Sequence, residues 1–219
     1  MRLFFIQKKS YHYFMRTHQA SQHIENKFAR RIHAQTIAGL DEVGRGAISG
    51  PLVVGCFVRD IAQFMPEVED SKMLTPKKRR ALVPQLFTCS RAWSLGIVEA
   101  NDISSRGMSW ALHEAFSRAL RALPFSPDLV FYDGAPQSLP HPAAHAVIRG
   151  DATHATIAAA SIIAKVFRDL CMHALSETHP QYGFDAHKGY GTEKHKHALL
   201  AHGLLPGIHR TQFVQTFLS

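Results

Sequence analysis

The chain has 219 residues, 46% hydrophobic, 10% aromatic and 19% charged, which fits one core-bearing domain and excludes a disordered, collagen-like or coiled-coil chain. Its formal charge of +8 is unevenly placed: residues 1–36 carry seven Lys or Arg against Glu25 alone, whereas residues 37–219 hold 18 basic and 16 acidic side chains. Cys56, Cys89 and Cys171 show no CxxC spacing, so neither a disulfide framework nor a structural zinc site is indicated and a reducing cytoplasm is expected; the apolar run Leu3 to Ile6 is too short for a signal-peptide core or a membrane span.

In chain order, residues 1–36 mix Lys, His, Gln and aromatics without periodicity and read as a flexible basic extension, with the folded domain expected over 37–219. A short strand from Ile37 through Leu40 and Asp41, a Gly-rich turn from Gly44 to Gly50 and an apolar run from Leu52 to Val58 read as a hairpin. Thr75-Pro76 is a helix start, and Pro84 is expected to kink or shorten that helix. Ala92 to Val98 reads as a strand, Met108 to Leu123 as an amphipathic helix and Leu129 to Tyr132 as a buried strand. This order indicates an α/β fold. A long helix over Thr153–Ser176 places Ala159, Ile162, Ile163, Val166, Phe167 and Leu170 on an apolar face, and His154, Ser161, Lys165 and Arg168 on a polar face that begins beside Asp151.

Four carboxylates stand at element edges: Asp41 and Glu42 at the end of the first strand, Asp133 at the end of the strand over 129–132, and Asp151 at the start of the long helix. Such edges are where α/β folds build sites. If the four converge, each pair at about 4 Å and an effective dielectric of about 20 repels by about 4 kcal/mol, which calls for bound cations or raised pKa values. An all-oxygen donor set favours Mg²⁺ or Mn²⁺ over zinc. Adjacent strand residues point to opposite faces, so Asp41 and Glu42 share a site only where the strand ends or bends, and Gly44 and Gly46 supply that freedom. No Ser/His/Asp nucleophile is apparent; His154, His195 and His197 read as surface residues.

The segments GLDEVGRGAISGPLVV (39–54), DSKMLT (70–75), YDG (132–134), RGDATHATIAAASIIAKVFRD (149–169), HPQYGFDAHKGYGTEKHKHAL (179–199) and GIHRTQF (207–213) resemble, in order, the motif series of the type 2 ribonucleases H. The resemblance implies a ribonuclease H-like fold, a five-stranded mixed sheet flanked by helices with a helical C-terminal part. It implies an endonuclease that cuts the RNA strand of RNA/DNA hybrids and single ribonucleotides embedded in DNA, by two-metal-ion hydrolysis giving 3′-hydroxyl and 5′-phosphate ends; a monomer is expected, and a sliding clamp is a candidate partner that the sequence leaves open.

Residue by residue, Asp41, Glu42, Asp133 and Asp151 match the family's metal-binding carboxylates. Gly44, Arg45 and Gly46 match its contact to the ribose 2′-hydroxyl, Tyr190 matches the tyrosine that packs on the next deoxyribose, and Lys72, Ser161 and Lys165 match positions associated with the nucleic-acid backbone. Tyr182, in the same motif as Tyr190, reads as core. A type 3 ribonuclease H would add an N-terminal platform domain, for which 36 irregular residues are too few. A non-catalytic nucleic-acid-binding relative would be expected to lose a carboxylate, and a resolvase or transposase would lack the sugar-reading segments.

Overall fold

The structure is a computed structural model in which residues 19–66, 68–69 and 74–218 are described. Two short strands, β1 (Gln19–Ala20) and β4 (Val68–Glu69), pair antiparallel with each other. The main sheet is formed by β2 (Thr36–Val43), β3 (Leu52–Asp60), β5 (Ala92–Val98), β6 (Leu129–Asp133) and β7 (Ala144–Val147), in the order β5-β3-β2-β6-β7. β3 runs antiparallel to β2 and β5, whereas β2, β6 and β7 are mutually parallel along the other half, giving the mixed five-stranded sheet expected.

Helices cover both faces. Alternation along β2 and β3 sends Ala38, Leu40, Leu52, Val54 and Cys56 toward α3 (Ala100–Arg106) and α4 (Met108–Arg121), where Ala111, Ala115 and Phe116 complete one core. The opposite face receives α5 (Ala155–Thr178), with α2 (Pro76–Cys89) beside it; Phe57 and Leu86 pack there against Ala158, Ala159 and Ile162. The approach of α5 is close enough to require glycine beneath it: a Cβ on Gly39 would strike the backbone of Thr156, and one on Gly55 the Ala160 carbonyl. The Ala-rich run 158–160 is the other half of that fit, and every residue from Ala155 to Ala164 is buried.

Pro84 lies inside α2, which continues unbroken to Cys89. The helix tolerates it because a proline removes one intrahelical donor without unwinding a segment anchored on both sides, here by the Thr75 cap and by Leu86 in the core. The polar face expected on the long helix is not a solvent face: His154, Ser161 and Arg168 are 8%, 1% and 0% exposed, while Leu170, assigned to the apolar face, is 53% exposed. The helix outruns the sheet that covers its first turns, so packing rather than periodicity decides which residues are wet.

The boundary drawn at residue 36 falls within the packed protein. Helix α1 (Gln22–Arg31) is capped by the Ser21 hydroxyl and buries Ala29 against Ile37, Leu129, Phe131 and Ile157. Glu25 is fully buried and pairs with the equally buried Arg59 of β3 at 3.1 Å. Residues 1–18 of the expected extension lie outside the described residues. The C-terminal part, as expected, is helical: α6 (Phe184–His187), α7 (Glu193–His202) and α8 (Thr211–Leu218) gather around Tyr182, Phe184, Leu199 and Val214. No helix among the described residues is long and apolar enough to cross a membrane.

Candidate active site

Asp41 shares the face of β2 that carries Gly39 and looks onto α5, where the Ser161 hydroxyl hydrogen-bonds to its carboxylate. The strand does not end between Asp41 and Glu42 but continues to Val43, and Gly44, at φ 94°, starts the turn. Glu42 is half-buried and meets the Arg45 guanidinium at 3.7 Å. Asp133 closes β6, and its Oδ1 accepts the Gly150 amide at 2.6 Å. That bond ties the end of β6 to the 3₁₀ turn Gly150–Ala152, which carries the buried Asp151 just ahead of α5.

The four carboxylates share one electrostatic neighbourhood. Burial holds the Asp41 carboxyl well above the usual carboxylate range; repulsion from Glu42, Asp133 and Asp151 adds to the rise, and the Ser161 hydrogen bond opposes it. A cation would relieve that repulsion, and the all-oxygen donors suit a hard divalent ion. Among the described residues no three His, Cys, Asp or Glu side chains already stand close enough to hold one ion as they lie. The carboxylates therefore meet as a shared negative field rather than as a preformed cage.

Beside this field the turn after β2 meets the loop before α7. Ala47 pairs with Tyr190 in an isolated antiparallel bridge, and the Gly189 carbonyl accepts the Ile48 and Ser49 amides at 2.9 and 3.2 Å. Two fully buried arginines support the junction from beneath. Arg168 donates to the carbonyls of Ser49, Pro51 and Lys188, and Arg210 to those of Gly44, Arg45, Ala47 and Gly50. Burial lowers the Arg210 guanidinium to about 9, with the charge of Arg168 adding to the fall; its carbonyl partners favour the charged form that burial disfavours. The Tyr190 ring lies 5.4 Å from the Arg168 guanidinium and is 36% exposed. Arg45 and Gly46 are exposed, and a Cβ on Gly46 would meet nothing within 4 Å, so the tip of the turn presents bare backbone to solvent.

The family model described as Ribonuclease HII matches residues 38–216. The chain belongs to the ribonuclease HII family. It is 40% identical over 203 residues to the Ribonuclease HII of Geobacillus kaustophilus, spanning 90% of this chain and 77% of that one. It is 42% identical to a Ribonuclease HII of Thermus thermophilus, over 81% of this chain and 85% of that one. The crystal structure of ribonuclease H2 from Pyrococcus horikoshii superposes with a TM-score of 0.70 at 28% identity, over 84% of this chain and 97% of that one. The fold is thus ribonuclease H-like, and the enzyme is a ribonuclease H, a metal-dependent endonuclease.

Within this ribonuclease H, the backbone-contact residues expected from the motif series separate. Ser161 is buried and engages Asp41. Lys165 is half-buried and binds Asp169 at 2.6 Å one turn further along α5. Lys72 lies outside the described residues. Tyr182 is core, as read. His197 is exposed, but His154 and His195 are not the surface residues expected; His195 is fully buried behind the Tyr190 loop. Of the residues missed, Glu25 shows no local sequence signal, since it acts on Thr156, 131 positions away; His209 and Arg210 fall within the GIHRTQF segment, but the segment alone gives them no role, which their distant partners His195 and Gly44 supply.

Proposed function

We propose that the enzyme hydrolyses the RNA strand of RNA/DNA hybrids and also incises 5′ to single ribonucleotides embedded in duplex DNA, leaving 3′-hydroxyl and 5′-phosphate ends. The observation that carries this reading is the backbone pairing of the Gly44–Ser49 turn with Gly189–Tyr190 next to Asp41 and Glu42. It sets an open backbone edge at Gly46 and a half-exposed aromatic ring side by side. The bare backbone suits a ribose 2′-hydroxyl, which needs donors and acceptors without an intervening Cβ; the Tyr190 ring suits a deoxyribose, whose missing oxygen lets a flat surface pack.

Asp41, Glu42, Asp133 and Asp151 would hold the cations, Mg²⁺ or Mn²⁺, which when bound supply activation of a water and stabilisation of the leaving 3′-oxygen. Ser161 orients the Asp41 carboxylate, the Gly150 amide orients that of Asp133, and Arg45 stands by Glu42. The Ser161 and Gly150 contacts orient the Asp41 and Asp133 carboxylates before substrate arrives. The ribonuclease HII of Archaeoglobus fulgidus, which shares the fold at 23% identity and a TM-score of 0.63, was solved in complex with PCNA, and by that analogy we include a sliding clamp among the partners.

The test is incubation of the full chain with a DNA duplex bearing one ribonucleotide, in Mg²⁺, Mn²⁺ or EDTA, beside a continuous hybrid. Metal-dependent cutting 5′ to the ribonucleotide is expected, and its loss in Asp133→Asn, which keeps an oxygen facing the Gly150 amide. Cutting of the hybrid alone would withdraw the junction reading and leave the ribonuclease H assignment standing.

A further inference from the structure

Behind Tyr190 three histidines lie within the C-terminal core, and their hydrogen bonds admit one tautomer each. The Leu205 amide donates to His209 Nδ1 at 2.9 Å, so neutral His209 carries its proton on Nε2. His209 Nε2 is 3.1 Å from His195 Nε2, which must then accept. The His195 proton is left on Nδ1, from which it donates to the Tyr190 carbonyl at 3.0 Å. His187 is fixed the same way, accepting the Gly189 amide on Nδ1 and donating from Nε2 to the Tyr182 carbonyl, and it stacks on His195 with ring centres 4.2 Å apart.

We propose that His195 and His209 are positioning residues for Tyr190, a single-direction relay that runs from the Leu205 amide through both rings to the Tyr190 carbonyl and holds Gly189–Tyr190 against the Ala47–Ser49 edge. Its effect on cleavage rests on the reading of Tyr190 given above. The relay requires both rings to be neutral, since a proton added to His195 Nε2 would face the His209 N–H across 3.1 Å. Burial pushes both rings down to about 4; His187 adds to the fall at both rings, and His179 adds to it at His209.

Long-range ¹H–¹⁵N correlation spectra of the labelled full chain at pH 7 test the relay directly. Protonated Nδ1 on His195 and protonated Nε2 on His209 are expected; the opposite tautomer at either ring, or an imidazolium, overturns it. The functional arm compares His209→Asn, which keeps an acceptor for Leu205 but has no atom at Nε2, with His209→Gln, whose amide reaches further toward His195. For the Asn variant the ratio of kcat/KM on the single-ribonucleotide duplex to that on a continuous hybrid should fall about tenfold, the scale of one buried hydrogen bond, and the Gln variant should recover part of it. Equal losses on both substrates in a variant with an unchanged circular dichroism spectrum would reduce the histidines to packing. Should the wild-type protein cut only continuous hybrids, the junction reading fails while the tautomer spectra still decide the relay.

Discussion

The carboxylate of Glu25 accepts the Thr156 amide at 2.8 Å and the Thr156 hydroxyl at 2.6 Å, so a residue of the first helix caps the helix that follows Asp151. The N-cap residue of α5, His154, makes no such bond with its own side chain. A carboxylate at this place satisfies an amide the helix cannot satisfy internally and also complements the helix dipole. The Ser21 amide adds a second tie, to the Thr153 carbonyl at 3.1 Å.

Replacing Glu25 with Ala should destabilise the fold by about 3–5 kcal/mol, because it leaves the buried Arg59 guanidinium without its carboxylate and the α5 amide without its cap. Urea unfolding measures this. A double variant, Glu25→Leu with Arg59→Met, should recover a large part of the loss, since it removes both buried charges together. A loss under about 1 kcal/mol in Glu25→Ala, the range of an exposed pair, would contradict the buried coupling.

Saturating Mn²⁺ or Mg²⁺ should raise the midpoint of thermal unfolding in the absence of any substrate. A cation bound only by the folded state at about a hundred times its Kd adds about 2.7 kcal/mol. Asp133→Asn should show a smaller rise, because the shared field loses one negative charge. An equal rise in both proteins would place the stabilising ion elsewhere.

Stability should fall as pH drops from about 6.5 to about 4, the ordinary and the folded-state values of His195 and His209. Above that window both rings are neutral in the folded and unfolded chains, and their contribution is complete. Within it the unfolded chain binds protons that the folded chain refuses, at up to about 3 kcal/mol per ring. Below it these two groups cost nothing further. His209→Asn should flatten the slope, which urea titrations at a series of pH values would reveal.

Gly44 and Gly46 should respond differently to alanine. A Cβ on Gly44 would strike the Arg168 side chain, and its φ of 94° disfavours any side chain, so Gly44→Ala should lower stability by about 1–3 kcal/mol. Gly46→Ala meets open space and should fold as the wild type does while cleaving the single-ribonucleotide duplex more slowly. Thermal melts and initial rates separate the two, and an undiminished rate for Gly46→Ala would argue against contact between that backbone and a sugar.

The carboxylates were legible in the sequence because each sits at an element edge beside a glycine or a strong punctuation residue: Asp41 and Glu42 before Gly44, Asp133 before Gly134, Asp151 after Gly150. The sheet strands were legible where apolar runs were long, as in β3 and β6. β7 carries no local signal, since of its four residues, Ala144–Val147, three are half-buried and one, His145, is exposed, with no alternation to mark a strand. Helix α1 was hidden because its core-facing side includes a glutamate, and a charged residue is read as solvated unless its partner is known. His195 was misread for a related reason: helical spacing separates it from His197 but says nothing of His209, which reaches it from 14 residues away.

The turn after β2 is gripped by Arg210 through carbonyl oxygens and not through side chains. Every residue type offers the same carbonyl, so the grip is indifferent to what stands at position 45. The exposed tip can therefore exchange Arg45 for another side chain while the loop beneath keeps its shape. In evolutionary terms the loop behaves as a socket, in which the character of the substrate-facing surface can drift without the scaffold having to be rebuilt.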